Sequence, residues 1–117
     1  DNAVEVGTLK VIAANAGEVT VDELRQLSDK AKAEGDNIVA VFGAVNKEKG
    51  SANFAACCAP EAVKSGVKAG DVVRAVAKLA GGNGGGKPDF AMAGAKDIDK
   101  VDEAIAAVAD IVKSFIK

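Results

Sequence analysis

Apolar residues recur in two rhythms along this chain. Thr8–Asn15 (TLKVIAAN) is apolar and β-branched, and reads as a strand. After a turn at Ala16–Val19 the spacing changes. Val21, Leu24, Leu27, Ser28 and Ala31 recur every three or four residues, which sets them on one side of a helix. Thr20 and Glu23 form a capping-box pair at its start, and Gly35 is placed to end it. Asn37–Asn46 (NIVAVFGAVN) is nearly continuous in apolar residues and predicts a strand covered on both faces. With the charged turn Lys47–Gly50 and the returning stretch Ser51–Ala59 (SANFAACCA), residues 37–59 read as a β-hairpin.

The second half continues in the same way. Pro60 suits the first turn of a short helix that stops at Gly66. Ala69–Ala80 reads as a longer helix with Val72, Val73, Val76 and Leu79 inward and Gly81 at its end. Asp89–Ala95 (DFAMAGA) predicts a short strand. In Asp97–Lys117, Val101, Ile105, Val108, Val112 and Phe115 step by four, three, four and three, and Asp97 or Asp99 is placed to cap a helix there. The fold class is therefore α/β, a layered mixed β-sheet with helices in the order β-α-β-β-α-β-α. A chain of 117 residues makes one domain, spanning 1–117. The polar start Asp1–Glu5 has the look of the cut edge of a longer protein.

Composition narrows what this domain does. The chain is 49% hydrophobic and 27% charged with a net charge of −2, which excludes a uniformly basic nucleic-acid binder. The average conceals an asymmetry. Residues 44–88 carry Lys47, Lys49, Lys64, Lys68, Arg74, Lys78 and Lys87 against Glu48, Glu61 and Asp71, whereas the rest of the chain is acidic. That split suggests one positive face, or else a scatter of solvated charges. Cys57 and Cys58 are adjacent, so in a strand they point to opposite faces and form no ordinary disulfide with each other. Free thiols point to a reducing, cytoplasmic compartment. No apolar run reaches a membrane span, so no membrane partner is expected.

Candidate chemistry is sparse. The chain has no His, so imidazole-based catalysis and the common metal-ligand sets are excluded, and a Cys57 or Cys58 nucleophile would lack its base. Asp97, Asp99, Asp102 and Glu103 cluster at a predicted helix start, where they offset the positive end of the helix dipole and need no metal. The domain itself is expected to be no enzyme.

One stretch stands out: GGNGGGKPDF, residues 81–90, in which five of the first six residues are glycine. It is not a P-loop, because Pro88 and not Ser or Thr follows Lys87. It is not a Rossmann fingerprint, because it follows a helix and precedes a strand. Read as a loop, it is either a flexible connector or a place where bare backbone N–H groups approach a phosphate–sugar chain, with Lys87 as an adjacent cation and Pro88 stiffening the exit.

The stretch Gly81–Gly94 resembles the G-G-x-G-G-G-[RK]-P-D-x-A-x-A-G signature that closes alanyl-tRNA synthetases, and more broadly that of the DHH-associated nucleic-acid-binding domain. Val67-Lys68-Ala69-Gly70 with the helix after it, the hairpin 37–59 and the final helix also resemble that family, so the likeness spans nearly the whole chain. Lys87 stands where arginine is common, which keeps the charge and loses the planar fork. The resemblance implies a non-catalytic module that grips the outer corner of tRNA(Ala) and helps to couple aminoacylation to editing. It implies RNA contacts at Gly82, Gly84, Gly85, Gly86 and Lys87, with Lys47, Lys49 and Lys78 neutralising phosphates. It implies no cofactor in this domain, the ATP, Mg and Zn of the parent enzyme being held upstream. Its partners would be tRNA(Ala) and the other domains of the synthetase, and a homodimer stays open. The alternatives are the equivalent domain of a DHH-family phosphoesterase or exonuclease, and a protein-interaction module.

Overall fold

A computed structural model describes residues 3–116; Asp1, Asn2 and Lys117, which belong to the expected chain ends, lie outside the described residues. The elements are β1 (Ala3–Val6), β2 (Leu9–Gly17), α1 (Val21–Lys32), β3 (Ile38–Asn46), β4 (Ser51–Cys58), α2 (Pro60–Lys64), α3 (Ala69–Leu79), β5 (Asn83–Gly86), β6 (Phe90–Ala95), a 3₁₀ turn (Ile98–Lys100), α4 (Val101–Ala106) and α5 (Val108–Phe115). The six strands form one mixed sheet in the order β1-β2-β3-β4-β6-β5. The pair β2–β3 is parallel and the other neighbours are antiparallel. The expected mixed α/β layering is thus present, with two short strands, β1 and β5, added at its two edges.

The strand period sorts the core into two layers. Val39, Val41, Phe54, Ala56 and Cys58 bury against Val72, Val73 and Val76 of α3 and against Val101, Val108 and Val112. Ala40, Phe42, Ala44, Ala55 and Cys57 bury on the opposite face with Leu24 and Ala31 of α1. The alternation follows from successive side chains pointing to opposite faces. It explains why β3 has no polar face and why Cys57 and Cys58 lie in different layers.

Local signals account for the helix ends. Thr20 Oγ1 accepts from the Glu23 amide and the Thr20 amide donates to Glu23 Oε1, both at 3.1 Å, so the capping box is complete. Helix α1 stops at Lys32, short of Gly35, and Val21 is exposed while Leu24, Ser28 and Ala31 are buried. Pro60 occupies the first turn of α2. On α3, Val72, Val73 and Val76 are buried as expected, but Leu79 is exposed at the last turn.

The last helix differs from expectation. It is two segments meeting at Ala107, whose amide is shared between the Glu103 and Ala104 carbonyls. The tightening keeps Val101, Ala104, Val108 and Val112 all on the sheet. Asp97 makes no side-chain cap bond there, and Asp102 Oδ1 instead accepts from Asn15 Nδ2 at 2.8 Å.

Candidate nucleic-acid interface

The glycine run is not a loop, and this is the main correction to the sequence reading. Gly81 has φ +73°, a left-handed conformation that suits glycine. Its amide donates to the Lys78 carbonyl at 3.2 Å and the Gly82 amide to the Ala77 carbonyl at 2.8 Å. That pairing is the Schellman closure of α3. Asn83–Gly86 then forms edge strand β5, with Gly84 opposite Ala93, Gly85 opposite Met92 and Gly86 opposite Ala91.

The strand is rotated so that alternate residues face the backbone of β6. A Cβ on Gly82 would lie 2.6 Å from Ala95 Cα, one on Gly84 would lie 2.5 Å from Ala93 Cα, and one on Gly86 would lie 2.9 Å from Ala91 Cα. No side chain fits in those gaps, so three of the glycines permit close strand contact. Gly85 differs. A Cβ there meets only the Arg74 guanidinium end, at 3.1 Å, which can swing away.

The bare amides expected for phosphate binding are therefore largely taken. The Gly82 amide closes the helix, the Gly84 amide binds Asn83 Oδ1 at 2.9 Å, and the Lys87 amide donates to the Phe90 carbonyl at 3.0 Å. Arg74 Nε donates to the Gly84 carbonyl at 3.3 Å, and Gly86 N and O face Gly70 of α3. What the run contributes is clearance, and a chain edge low enough to leave an open groove beside it.

That groove, about 490 Å³, lies between β5–β6 and α1. Gly85, Gly86 and Lys87 line one side, Phe90 and Met92 the floor, and Arg25, Asp29 and Lys32 the helix side. The Arg25 guanidinium sits 5.7 Å from the Phe90 ring centre, within reach of a cation–π contact. Lys32 Nζ pairs with Asp89 Oδ2 at 3.4 Å, and both side chains remain accessible to solvent. Asp89 is held below its ordinary range, first by a hydrogen bond from its own backbone amide and then by Lys32. Asp29 adds a second acidic residue to a lining that carries three basic ones.

The candidate RNA-contacting residues do not share one face. Gly85, Gly86 and Lys87 meet at the groove. Gly82 and Gly84 are spent on packing. Lys78 lies in a separate shallow recess with Asp71, Arg74 and Phe115. Lys47 and Lys49 lie in the β3–β4 turn, at the far end of β4 from Lys87, because Ala52 pairs with Ala95 and Cys57 with Phe90. Seven steps along β4 separate those ends by roughly 23 Å.

Arg25, Lys32 and Phe90 were not singled out from sequence. The spacing carried a signal: Arg25, Asp29 and Lys32, at i, i+4 and i+7, form one stripe of α1. The stripe lies on α1, in the acidic remainder of the chain, so it does not show in the net charge of that stretch.

Both cysteines are buried and inert. Burial pushes the Cys57 thiol up to about 11 and the Cys58 thiol up to about 12. Among the described residues no group of three or more His, Cys, Asp or Glu could hold a metal ion, and no helix is long and apolar enough to cross a membrane.

An alanine–tRNA ligase of Latilactobacillus sakei is 39% identical over 112 residues, covering 96% of this chain and 12% of that protein. That of Bacillus subtilis is 38% identical over the same length, again covering 96% of this chain and 12% of the protein. The chain thus spans about an eighth of the length of these curated relatives. The crystal structure of the C-Ala domain from Aquifex aeolicus alanyl-tRNA synthetase superposes with a TM-score of 0.83 at 28% identity, covering 95% of this chain and 97% of that one. These relatives favour the synthetase likeness over the phosphoesterase one. The DHHA1 domain pattern matches residues 8–114, from the start of β2 through nearly all of α5, and the chain belongs to that family.

Proposed function

We propose that this domain is the non-catalytic, tRNA-gripping part of an alanine–tRNA ligase, holding the outer corner of tRNA(Ala) while the other domains of the same ligase carry out aminoacylation and editing in the cytoplasm. The observation that carries this reading is the likeness to a C-Ala domain over 95% of the chain. The groove beside β5 is the contact surface the reading requires. Arg25, Lys32 and Lys87 would meet phosphates, and the side-chain-free edge at Gly85–Gly86 would let the ribose chain come close. The Gly82, Gly84 and Lys87 amides are bonded internally and would play little part. Recognition of this kind reads shape more than sequence. With a net charge of −2 the isolated domain binds weakly, and linkage to the rest of the ligase supplies the effective concentration.

Fluorescence anisotropy with tRNA(Ala) tests the reading. Affinity is expected to fall with rising salt, as phosphate contacts require. A transcript lacking the D- and T-loops, which form that outer corner, is expected to bind much more weakly, and equal binding would rule out the corner as the contact. Gly85→Val, whose Cβ meets only a movable guanidinium, is expected to weaken RNA binding with the melting temperature close to wild type.

A further inference from the structure

Lys32 and Asp89 line two cavities at once. One is the polar groove described above. The other, about 500 Å³, is mostly apolar and is lined by Cys58, Pro60, Val63, Lys64 and Pro88. Both volumes fall in the range of small-ligand sites. Because Lys32 and Asp89 belong to both linings, their ion pair stands where the cavities meet, like a bar across a single trough. The trough turns the end of the sheet, from the α1 face toward α2.

An exposed pair of this kind contributes little and opens at little cost. A ligand that fills both halves must join an apolar body directly to an anion. It must also tolerate further cations, since the polar half continues to Arg25 and Lys87. A polymer with an anion at every unit and an apolar plane beside each one meets both conditions. A peptide can set an apolar or aromatic side chain beside a carboxylate, but it does not carry an anion on every backbone unit, as the run of cations Lys32, Arg25 and Lys87 favours.

We propose that the trough takes one unpaired nucleotide of a bound RNA, its base against Pro60, Val63 and Pro88 and its phosphate on Lys32, which exchanges the Asp89 carboxylate for it. The proposal rests on the RNA-binding reading above and adds to it the chemical class read at the site, a single-stranded nucleoside monophosphate unit. Asp89 then acts as a built-in competitor: its carboxylate occupies Lys32 until a phosphate arrives. Asp29 on the helix side limits affinity further.

The test uses the 117-residue chain, whose C-Ala relative was crystallised over nearly the same extent. Anisotropy at low salt compares labelled hexauridylate, the same ribose–phosphate hexamer without bases, and tRNA(Ala). Hexauridylate is expected to bind, and the abasic hexamer to bind about fivefold or more weakly. Asp89→Asn is expected to tighten hexauridylate about two- to fivefold, the scale of one exposed ion pair. Lys32→Gln and Val63→Asp are expected to weaken it, while Lys113→Gln on α5 leaves it unchanged. The opposite signs at Asp89 and Lys32 need no core substitution, so they decide the matter even if Val63→Asp fails to fold. Equal binding of the abasic hexamer, or no gain from Asp89→Asn, would overturn the trough. Salt-dependent tRNA(Ala) binding that Asp89→Asn, Lys32→Gln and Val63→Asp all leave unchanged would overturn it, and with it Lys32 as a phosphate contact, while the outer-corner reading stands on Arg25 and Lys87. Displacement of hexauridylate by an alternating leucine–glutamate peptide, with tRNA(Ala) unaffected, would assign the trough to protein and overturn it. Absence of any RNA binding would overturn both.

Discussion

The hairpin β3–β4 and the edge strand β5 are opposite ways of making a strand. In β3 both faces carry side chains that bury completely, Val39 and Val41 on one and Ala40 on the other. Its partner β4 contributes Phe54, which is fully buried. In β5 three of four residues have no side chain, and the strand is held by its closeness to β6 and by the seating of α3 along it. The hairpin is fixed by what it inserts into the core. The edge is fixed by what it leaves out. A strand made by omission cannot lend hydrophobic energy, but it leaves an open groove beside it, and here that groove holds the cations.

The contrast can be broken or sharpened by experiment. Phe54→Ala is expected to cost about 3–5 kcal/mol in urea unfolding, because a buried ring leaves a cavity. A cost near zero would mean that the hairpin does not anchor the core. Next comes alkaline pH, which acts on the same hairpin. The folded thiols titrate above their ordinary 9.0, so their contribution is complete below pH 9 and is lost as pH rises through about 11. The expected loss is about 3 kcal/mol for Cys57 alone, at roughly 1.4 kcal/mol per unit. Comparing wild type with the Cys57→Ala, Cys58→Ala double variant between pH 8 and pH 11 isolates it from lysine titration.

At the edge, Gly84→Ala is expected to cost about 1–3 kcal/mol, since its methyl would sit against the β6 backbone. Gly85→Ala, one residue away, is expected to stay within about 0.5 kcal/mol. Equal melting temperatures for the two would show that β5 is not pressed on β6. The smallest effect on stability separates the lysines. Lys87→Gln is expected to lower the salt slope of tRNA binding by about 1, with the fold unaffected. Lys47→Gln with Lys49→Gln, at the other end of the sheet, is expected to change it less.

The central parts of the fold were legible because their signals are local. The Thr20–Glu23 box, the Pro60 start, the Gly81 stop and the apolar run of β3 each act within a few residues of themselves. The strand β5 was not legible, because no periodicity exists in a run without side chains. Its strand character comes from β6, and β6 is recruited only when the chain has turned at Pro88. The break at Ala107 was equally hidden, since it lies inside an unbroken apolar pattern. For the candidate site, Lys87 and the glycines were visible as a motif. Arg25 and Lys32 lie more than fifty residues earlier and join the site only through the packing of α1.

Local pattern was enough to set the central helices and strands, the two-faced burial of β3, the separation of Cys57 from Cys58 and the lack of imidazole chemistry, because helix and strand periods and residue inventories are properties of the chain. Only the packing of distant segments set Gly82, Gly84 and Gly86 against the β6 backbone, put Lys47 and Lys87 at opposite ends of the sheet, and brought Lys32 to Asp89. Those facts depend on which strands lie side by side, and strand neighbours are chosen by burial of the whole core, not by any stretch read alone.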